Sequence, residues 1–173
     1  MVPPRGMTGG IRGGRPRLRG ESPVKPTPQT APDVSQKASR KARKNVLFVC
    51  IGNSCRSQMA EALARAYGSD ILSVRSAGLA PASIVQPLTR QVLAEKNIAS
   101  DGQFPKGLES VAAEVFDVVV NISGEPLPSR PVAHRLIEWR VRDPIGQSES
   151  VYRSVAAEIE ALVMRLILEL RGS

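Results

Sequence analysis

A cysteine and an arginine separated by five residues are the feature of this sequence best suited to chemistry. Cys50 and Arg56 enclose Ile51-Gly52-Asn53-Ser54-Cys55, and Ser57 follows at once. A thiol is a weak nucleophile until it ionises, and a helix N-terminus or a neighbouring guanidinium lowers cysteine pKa values to roughly 3.5–7.5. Both influences meet here, and Ser57 offers the sulfur a hydroxyl. Arg56 supplies a planar, bidentate fork suited to a tetrahedral oxyanion, which a lysine would not match. The expected ligand is a phosphate-like group, and the expected reaction is attack of the Cys50 sulfur on its central atom. Blander roles compete. A lone cysteine ending a core strand is ordinarily an inert small hydrophobe, and an arginine at a helix start is ordinarily a solvated charge. Gly52, Asn53, Ser54 and Ser57 favour the chemical reading, because they bring backbone freedom and local hydrogen bonds where the loop must curl.

The elements around this loop must aim it. Val46-Leu47-Phe48-Val49 is a continuous β-branched and aromatic run, the signature of a strand covered on both faces. Met59, Leu63 and Ala66 recur at helical spacing beyond the loop, with Gly68 placed for a left-handed cap. A strand turning sharply into a helix points loop N–H groups inward with the positive end of the helix dipole behind them. Further strands are expected at Ile71–Ser76, Asp117–Asn121 and Arg135–Trp139. Helices are expected from Pro87 to about Asn97, over Leu108–Glu114 and over 150–171, the last carrying Val151, Val155, Ile159, Leu162, Leu166 and Leu170 on one stripe. Ala80–Gln86, Gly102–Lys106 and the proline-rich stretch around Pro126, Pro128 and Pro131 read as loops. Alternating strands and helices imply an α/β fold with a parallel sheet and right-handed crossovers. Ligands of such sheets bind beyond the carboxyl ends of the strands, where Cys50 falls. Asp143, followed by Pro144, lies past the fourth strand at the same edge. By its residues alone it is as much a plain turn starter as a proton donor.

Composition narrows the partners. A chain of 173 residues is long enough for one domain with a substantial core. Two cysteines, both in the loop, exclude a disulfide framework and suit a reducing, cytoplasmic setting. With a single histidine, His134, expected in a loop, they offer too few soft ligands for zinc. No apolar run is long enough to span a membrane. The net charge of +8 is uneven: residues 1–44 hold eleven basic and two acidic residues, a net of +9, leaving −1 for 45–173. The Gly-, Pro- and Arg-rich residues 1–43 contain no aromatic and are expected to form a disordered tail, with the folded domain over 44–173. Clustered arginines suit a nucleic-acid or membrane-surface arm or a transit peptide. Without rings for base stacking, a plain solvated tail is favoured.

Cys50-Ile51-Gly52-Asn53-Ser54-Cys55-Arg56-Ser57-Gln58-Met59-Ala60-Glu61-Ala62 resembles the phosphate-binding loop of the low-molecular-weight protein tyrosine phosphatase superfamily, which includes thioredoxin-coupled arsenate reductases. The wording after Gly52 is nearer the reductase branch. The resemblance continues at Ser76-Ala77-Gly78, Phe116–Asn121 and Asp143-Pro144, so it covers most of 44–173. It implies a three-layer α/β/α domain with a four-stranded parallel sheet, of the phosphotyrosine protein phosphatase I type. It also implies Cys50 as nucleophile, the loop from Ile51 to Ser57 as phosphate cradle, Asp143 as general acid, and no cofactor. Cys55 corresponds to a second cysteine that in some of these phosphatases forms a protective disulfide with the first. Simple packing behind the loop is the equal alternative. Asn53, Glu61 and Ser76 match positions that bind a potassium ion in the reductase branch, and equally suit ordinary polar packing.

The resemblance leaves the reaction to be chosen. Thioredoxin-coupled reductases pass oxidation to two more cysteines after the third strand, and the matching segment here, Asn121 through Pro131, has none. Arsenate reduction would then require an external small thiol such as glutathione or mycothiol, or a thioredoxin-type partner acting directly. The phosphotyrosine enzymes flank the loop with rings, whereas Ile145-Gly146-Gln147-Ser148 and Ala80–Gln86 carry none. Trp139 and Tyr152 read as core or rim. The expectation is a cysteine-dependent phosphatase that hydrolyses phosphate monoesters, protein phosphotyrosine being one candidate, through a cysteinyl-phosphate, with a phosphorylated substrate or small oxyanion as its partner. Arsenate reduction is the alternative, and a non-catalytic phospho-binding module the third.

Overall fold

The computed structural model describes residues 42–128 and 131–173. The tail expected over 1–43 therefore lies, up to residue 41, outside the described residues. The chain runs β1 (Lys44–Cys50), α1 (Arg56–Gly68), β2 (Leu72–Gly78), α2 (Pro87–Glu95), a 3₁₀ turn (Leu108–Val111), β3 (Val115–Asn121), β4 (Val132–Glu138) and α3 (Glu149–Arg171). All three strand pairings are parallel, in the order β2-β1-β3-β4. The chain leaves β1 toward β2 on one side and returns to β3 on the other. The crevice of this α/β sheet consequently opens at the carboxyl end of β1, where Cys50 sits.

The continuous apolar run in β1 is explained by cover on both faces. Val46 and Phe48 face one core with α1, α2 and α3. Leu47 and Val49 face a second with Ala77, Val111, Phe116 and Val119. Phe48 packs its ring against Trp139, centroids 5.7 Å apart, which makes Trp139 a core residue as expected. Fully burying such a side chain is worth roughly 1.5–3 kcal/mol, and this packing holds the strand that aims the nucleophile. The helices gather on the first face, while the second is covered more thinly by the 3₁₀ turn and loops.

Several local expectations change. Gly68 is the last residue of α1, and the cap after it, Ser69, is right-handed. Gly68 is small for packing: an added Cβ would lie 3.0 Å from Leu72 and 3.1 Å from Ile167. The helix expected over Leu108–Glu114 closes only one 3₁₀ turn. His134 lies in β4, not in a loop, and is exposed. Asn97 does end the α2 region in a left-handed conformation (φ 57°). Along α3 the buried stripe includes Tyr152, Ala156 and Val163, whereas Val151 and Leu162 are half-buried.

Candidate active site

Between β1 and α1 the chain curls so that six successive carbonyls turn outward. Cys50, Ile51 and Gly52 accept from the N–H groups of Leu79, Ala80 and Ala82 at 3.0, 2.9 and 2.9 Å. The Asn53 carbonyl accepts from Gln58 Nε2 at 2.9 Å. Ser54 accepts from Gln86 N–H at 2.9 Å and Thr89 Oγ1 at 3.1 Å, and Cys55 from Met59 N–H at 2.9 Å. With the carbonyls outside, the N–H groups are left to the inner side of the curl. Among the described residues, none from Gly52 to Cys55 is spent on a turn or loop bond. They join the N–H groups opening α1 in one set of donors, an arrangement whose chemistry suits an anion.

Asn53 bears the tightest part of the curl, with φ 45°, a left-handed conformation that asparagine tolerates better than most side chains. Its Nδ2 donates to Ser57 Oγ at 2.8 Å and Ser76 Oγ at 2.9 Å. Its Oδ1 accepts from Lys106 N–H at 2.9 Å and Gln58 Nε2 at 3.2 Å. Asn53, Ser57 and Ser76 are fully buried. Gly78, at the end of β2, backs the loop so closely that a Cβ there would meet the Ile51 oxygen at 2.7 Å and the Asn53 nitrogen at 2.8 Å. The Ser54 hydroxyl is buried without a protein partner, a donor left over in the loop.

The chemical groups expected from sequence converge. Cys50 Sγ lies 2.9 Å from Ser57 Oγ. Arg56, almost wholly buried, donates through Nη1 to the carbonyls of Ile122 (2.9 Å) and Val141 (3.2 Å), and through Nη2 to Asp143 Oδ2 at 2.7 Å. Asp143 is half-open to solvent, and its other oxygen accepts from Ile145 N–H at 3.1 Å. The Asp-Pro pair is thus tethered to the guanidinium of Arg56. Cys55 is a free, buried cysteine. Burial pushes its thiol up to about 12, against an opposing hydrogen bond with Thr89, so at neutral pH it is a protonated neighbour. Tyr152 is core, and burial raises its phenol to about 12.

Other residues matter that sequence reasoning passed over. Gln58 and Thr89 hold the outer rim, and Lys106 braces Asn53 from behind. Their only sequence signal was a position inside a helix or loop already assigned to packing. Phe104 and Ile84, each more than half exposed, stand at a groove of about 420 Å³ with Val85, Pro87, Arg90 and Gln103. The Phe104 carbonyl is tied at 3.0 Å to Gln58, so this ring belongs to a loop that supports those donors. Among the described residues no three His, Cys, Asp or Glu side chains gather as a metal site, and no helix is long and apolar enough to cross a membrane.

The model of the low molecular weight phosphotyrosine protein phosphatase family matches residues 45–173. The chain belongs to this family. It is 38% identical over 130 residues to a glutaredoxin arsenate reductase of Synechocystis sp., an alignment covering 73% of this chain and 98% of the relative. Arsenate reductase 1 of Bacillus cereus is 34% identical, covering 71% and 93%. Among solved structures, an arsenate reductase in its phosphate-binding state superposes with TM-score 0.69 at 36% identity, covering 73% and 98%. The family match begins at Asn45, the second residue of β1.

Proposed function

We propose that the chain is a cysteine-dependent phosphatase that hydrolyses phosphate monoesters through a cysteinyl-phosphate. The observation that carries this reading is the outward turn of all six carbonyls from Cys50 to Cys55, which leaves the N–H groups inward around the sulfur with Arg56 beside them. That arrangement is electrostatically prepared for the equatorial oxygens of a trigonal-bipyramidal phosphoryl group. In the first step Cys50 Sγ attacks phosphorus, the S–P bond forms and the ester P–O bond breaks. Asp143 gives its proton to the departing oxygen. In the second, water attacks phosphorus, the S–P bond breaks, and Asp143 takes the proton that water loses. The Asp143 tether to Arg56 supports this role: an oxyanion that engages the guanidinium displaces the carboxyl toward the leaving oxygen. The loop residues Ile51, Gly52, Asn53, Ser54, Cys55 and Ser57 form the cradle, and no cofactor enters.

Arsenate reduction is the second reading, favoured by the 38% identity to a glutaredoxin arsenate reductase. Cys50 would displace water from arsenate to give a thioarsenate. An external thiol would then attack the Cys50 sulfur, releasing arsenite and leaving a mixed disulfide that a second thiol reduces. Over one cycle both electrons then come from outside thiols, since Cys55, the chain's only other cysteine, is buried with its thiol held protonated.

Purified protein assayed with p-nitrophenyl phosphate and, separately, with arsenate plus glutathione distinguishes these readings. Hydrolysis that vanadate inhibits and Cys50→Ser abolishes is the expected result. Inertness toward the ester with arsenite formation transfers the assignment to the reductase. Phosphate binding without turnover in either assay leaves a phospho-binding module.

A further inference from the structure

Behind the loop lies a buried carboxylate that the proposed chemistry does not use. Glu61, on α1, is 4% exposed. It accepts the Ser76 hydroxyl proton through Oε2 and an Arg65 N–H through Oε1. Lys106 Nζ lies 3.7 Å from Glu61 Oε2 and 3.4 Å from Ser76 Oγ, with its side chain 16% exposed. A carboxylate taken out of water needs a paired cation. Here two of the chain's own cations supply that charge, and the lysine is the more enclosed of the two.

The bonds running from this cluster have a fixed direction. The Lys106 backbone N–H, which can only donate, identifies the Asn53 side-chain atom facing it as oxygen. Asn53 therefore presents its NH₂ to Ser76 and Ser57. The Ser76 proton is already committed to Glu61. Ser57 Oγ, receiving from Asn53, is left with its own proton free to point at Cys50 Sγ, 2.9 Å away. Flipping the Asn53 amide would set two donors face to face at the Lys106 N–H, and a Cys50 thiolate, having no proton, can only accept from Ser57.

This geometry does not fit a resident potassium ion on Asn53, Glu61 and Ser76. Asn53 turns a donor toward the place, and an ammonium lies against the two oxygens that a cation would use. We propose that Lys106 is a positioning residue for Cys50: its ammonium is a built-in counter-cation that stands where a monovalent metal ion would, and it orients the chain Glu61–Ser76–Asn53–Ser57 so that a hydroxyl donates to the sulfur. The proposal rests on Cys50 being the reactive sulfur.

The test reads iodoacetamide alkylation of Cys50, located by mass spectrometry, in the full-length protein at pH 6. Potassium chloride, ammonium chloride and tetramethylammonium chloride are compared at equal ionic strength, and thermal melts verify folding. Alkylation reports on the sulfur whether or not the protein turns over phosphate, so failure of the phosphatase reading leaves this test intact. Wild-type protein is expected to react equally in all three salts. Lys106→Ala should react about tenfold more slowly in tetramethylammonium, the effect of one pH unit's shift in an ionisation equilibrium. Potassium or ammonium, small enough to enter the vacated place, should restore most of that rate. Lys106→Met, which fills the space without a charge, should be slow in every salt. A wild-type rate that rises with potassium would overturn the proposal. So would folded Lys106→Ala and Lys106→Met proteins that react like wild type in tetramethylammonium, or a slow Lys106→Ala that no cation rescues.

Discussion

At the scale of single residues, the account turns on which groups can meet an anion. Asp143 holds one arm of the Arg56 fork at 2.7 Å, so it both competes with an oxyanion and stands ready to act once displaced. Asp143→Asn is expected to lower kcat by about 10²–10⁴, the usual contribution of a positioned general acid. Vanadate should bind this variant more tightly, because the guanidinium has lost a charged competitor. A kcat loss with unchanged or weaker vanadate affinity would detach Asp143 from Arg56 in function. The two cysteines should also separate cleanly. With its thiol pushed up to about 12, Cys55 is expected to resist iodoacetamide at pH 8 while Cys50 is labelled, as peptide mapping would show. Equal labelling of both would contradict the raised thiol that sets Cys55 apart.

At the scale of elements, the strand–loop–helix unit was legible because its parts carry strong local signals: the run Val46–Val49, the turn residues Gly52 and Asn53, and the apolar spacing of α1. What backs the loop was not legible. Lys106 and Gly78 reach it from strands and loops far away in sequence, and no periodicity announces such a contact. Gly68 was misread for a similar reason: a glycine near a helix end signals a cap, but here the helix–helix approach to Ile167 requires it. Gly78→Ala tests the backing directly. Its methyl group would collide with backbone atoms at under 3 Å, which cannot swing aside as side-chain ends do. The expected outcome is loss of most phosphate affinity and a stability cost of about 1–3 kcal/mol, read by titration calorimetry and denaturant melts. A variant with wild-type affinity would show that the loop shifts freely over β2. On the opposite side, Arg153 on α3 grips Glu95 on α2 and holds its carboxyl down to about 2. A depressed acid contributes stability above its unfolded value, about 4.3, and loses it as pH falls toward 2. Both partners are surface groups, so the effect is small. The fall in Tm between pH 5 and pH 3 should be slightly smaller in Arg153→Met than in wild type.

At the scale of the whole molecule, the sheet order places β1 between its neighbours and opens the crevice at Cys50, so topology and chemistry coincide. Relatives align over nearly their whole length with about three-quarters of this chain, and the family match begins at Asn45. A protein starting at residue 42 is therefore expected to keep kcat and KM on p-nitrophenyl phosphate within about twofold, against kinetic effects of 10²-fold or more when catalytic groups are lost. A larger change would give the basic N-terminal segment a part in the site. The measurement that bears most directly on the central claim is a rapid acid quench of the enzyme during p-nitrophenyl phosphate turnover, followed by peptide mass analysis. A phosphoryl group on the Cys50 sulfur, absent from Cys50→Ser and accumulating when the attacking water is made scarce, is the expected result. Ester hydrolysis with Cys50 unmodified at every quench time, or unimpaired hydrolysis by Cys50→Ser, would contradict the assignment.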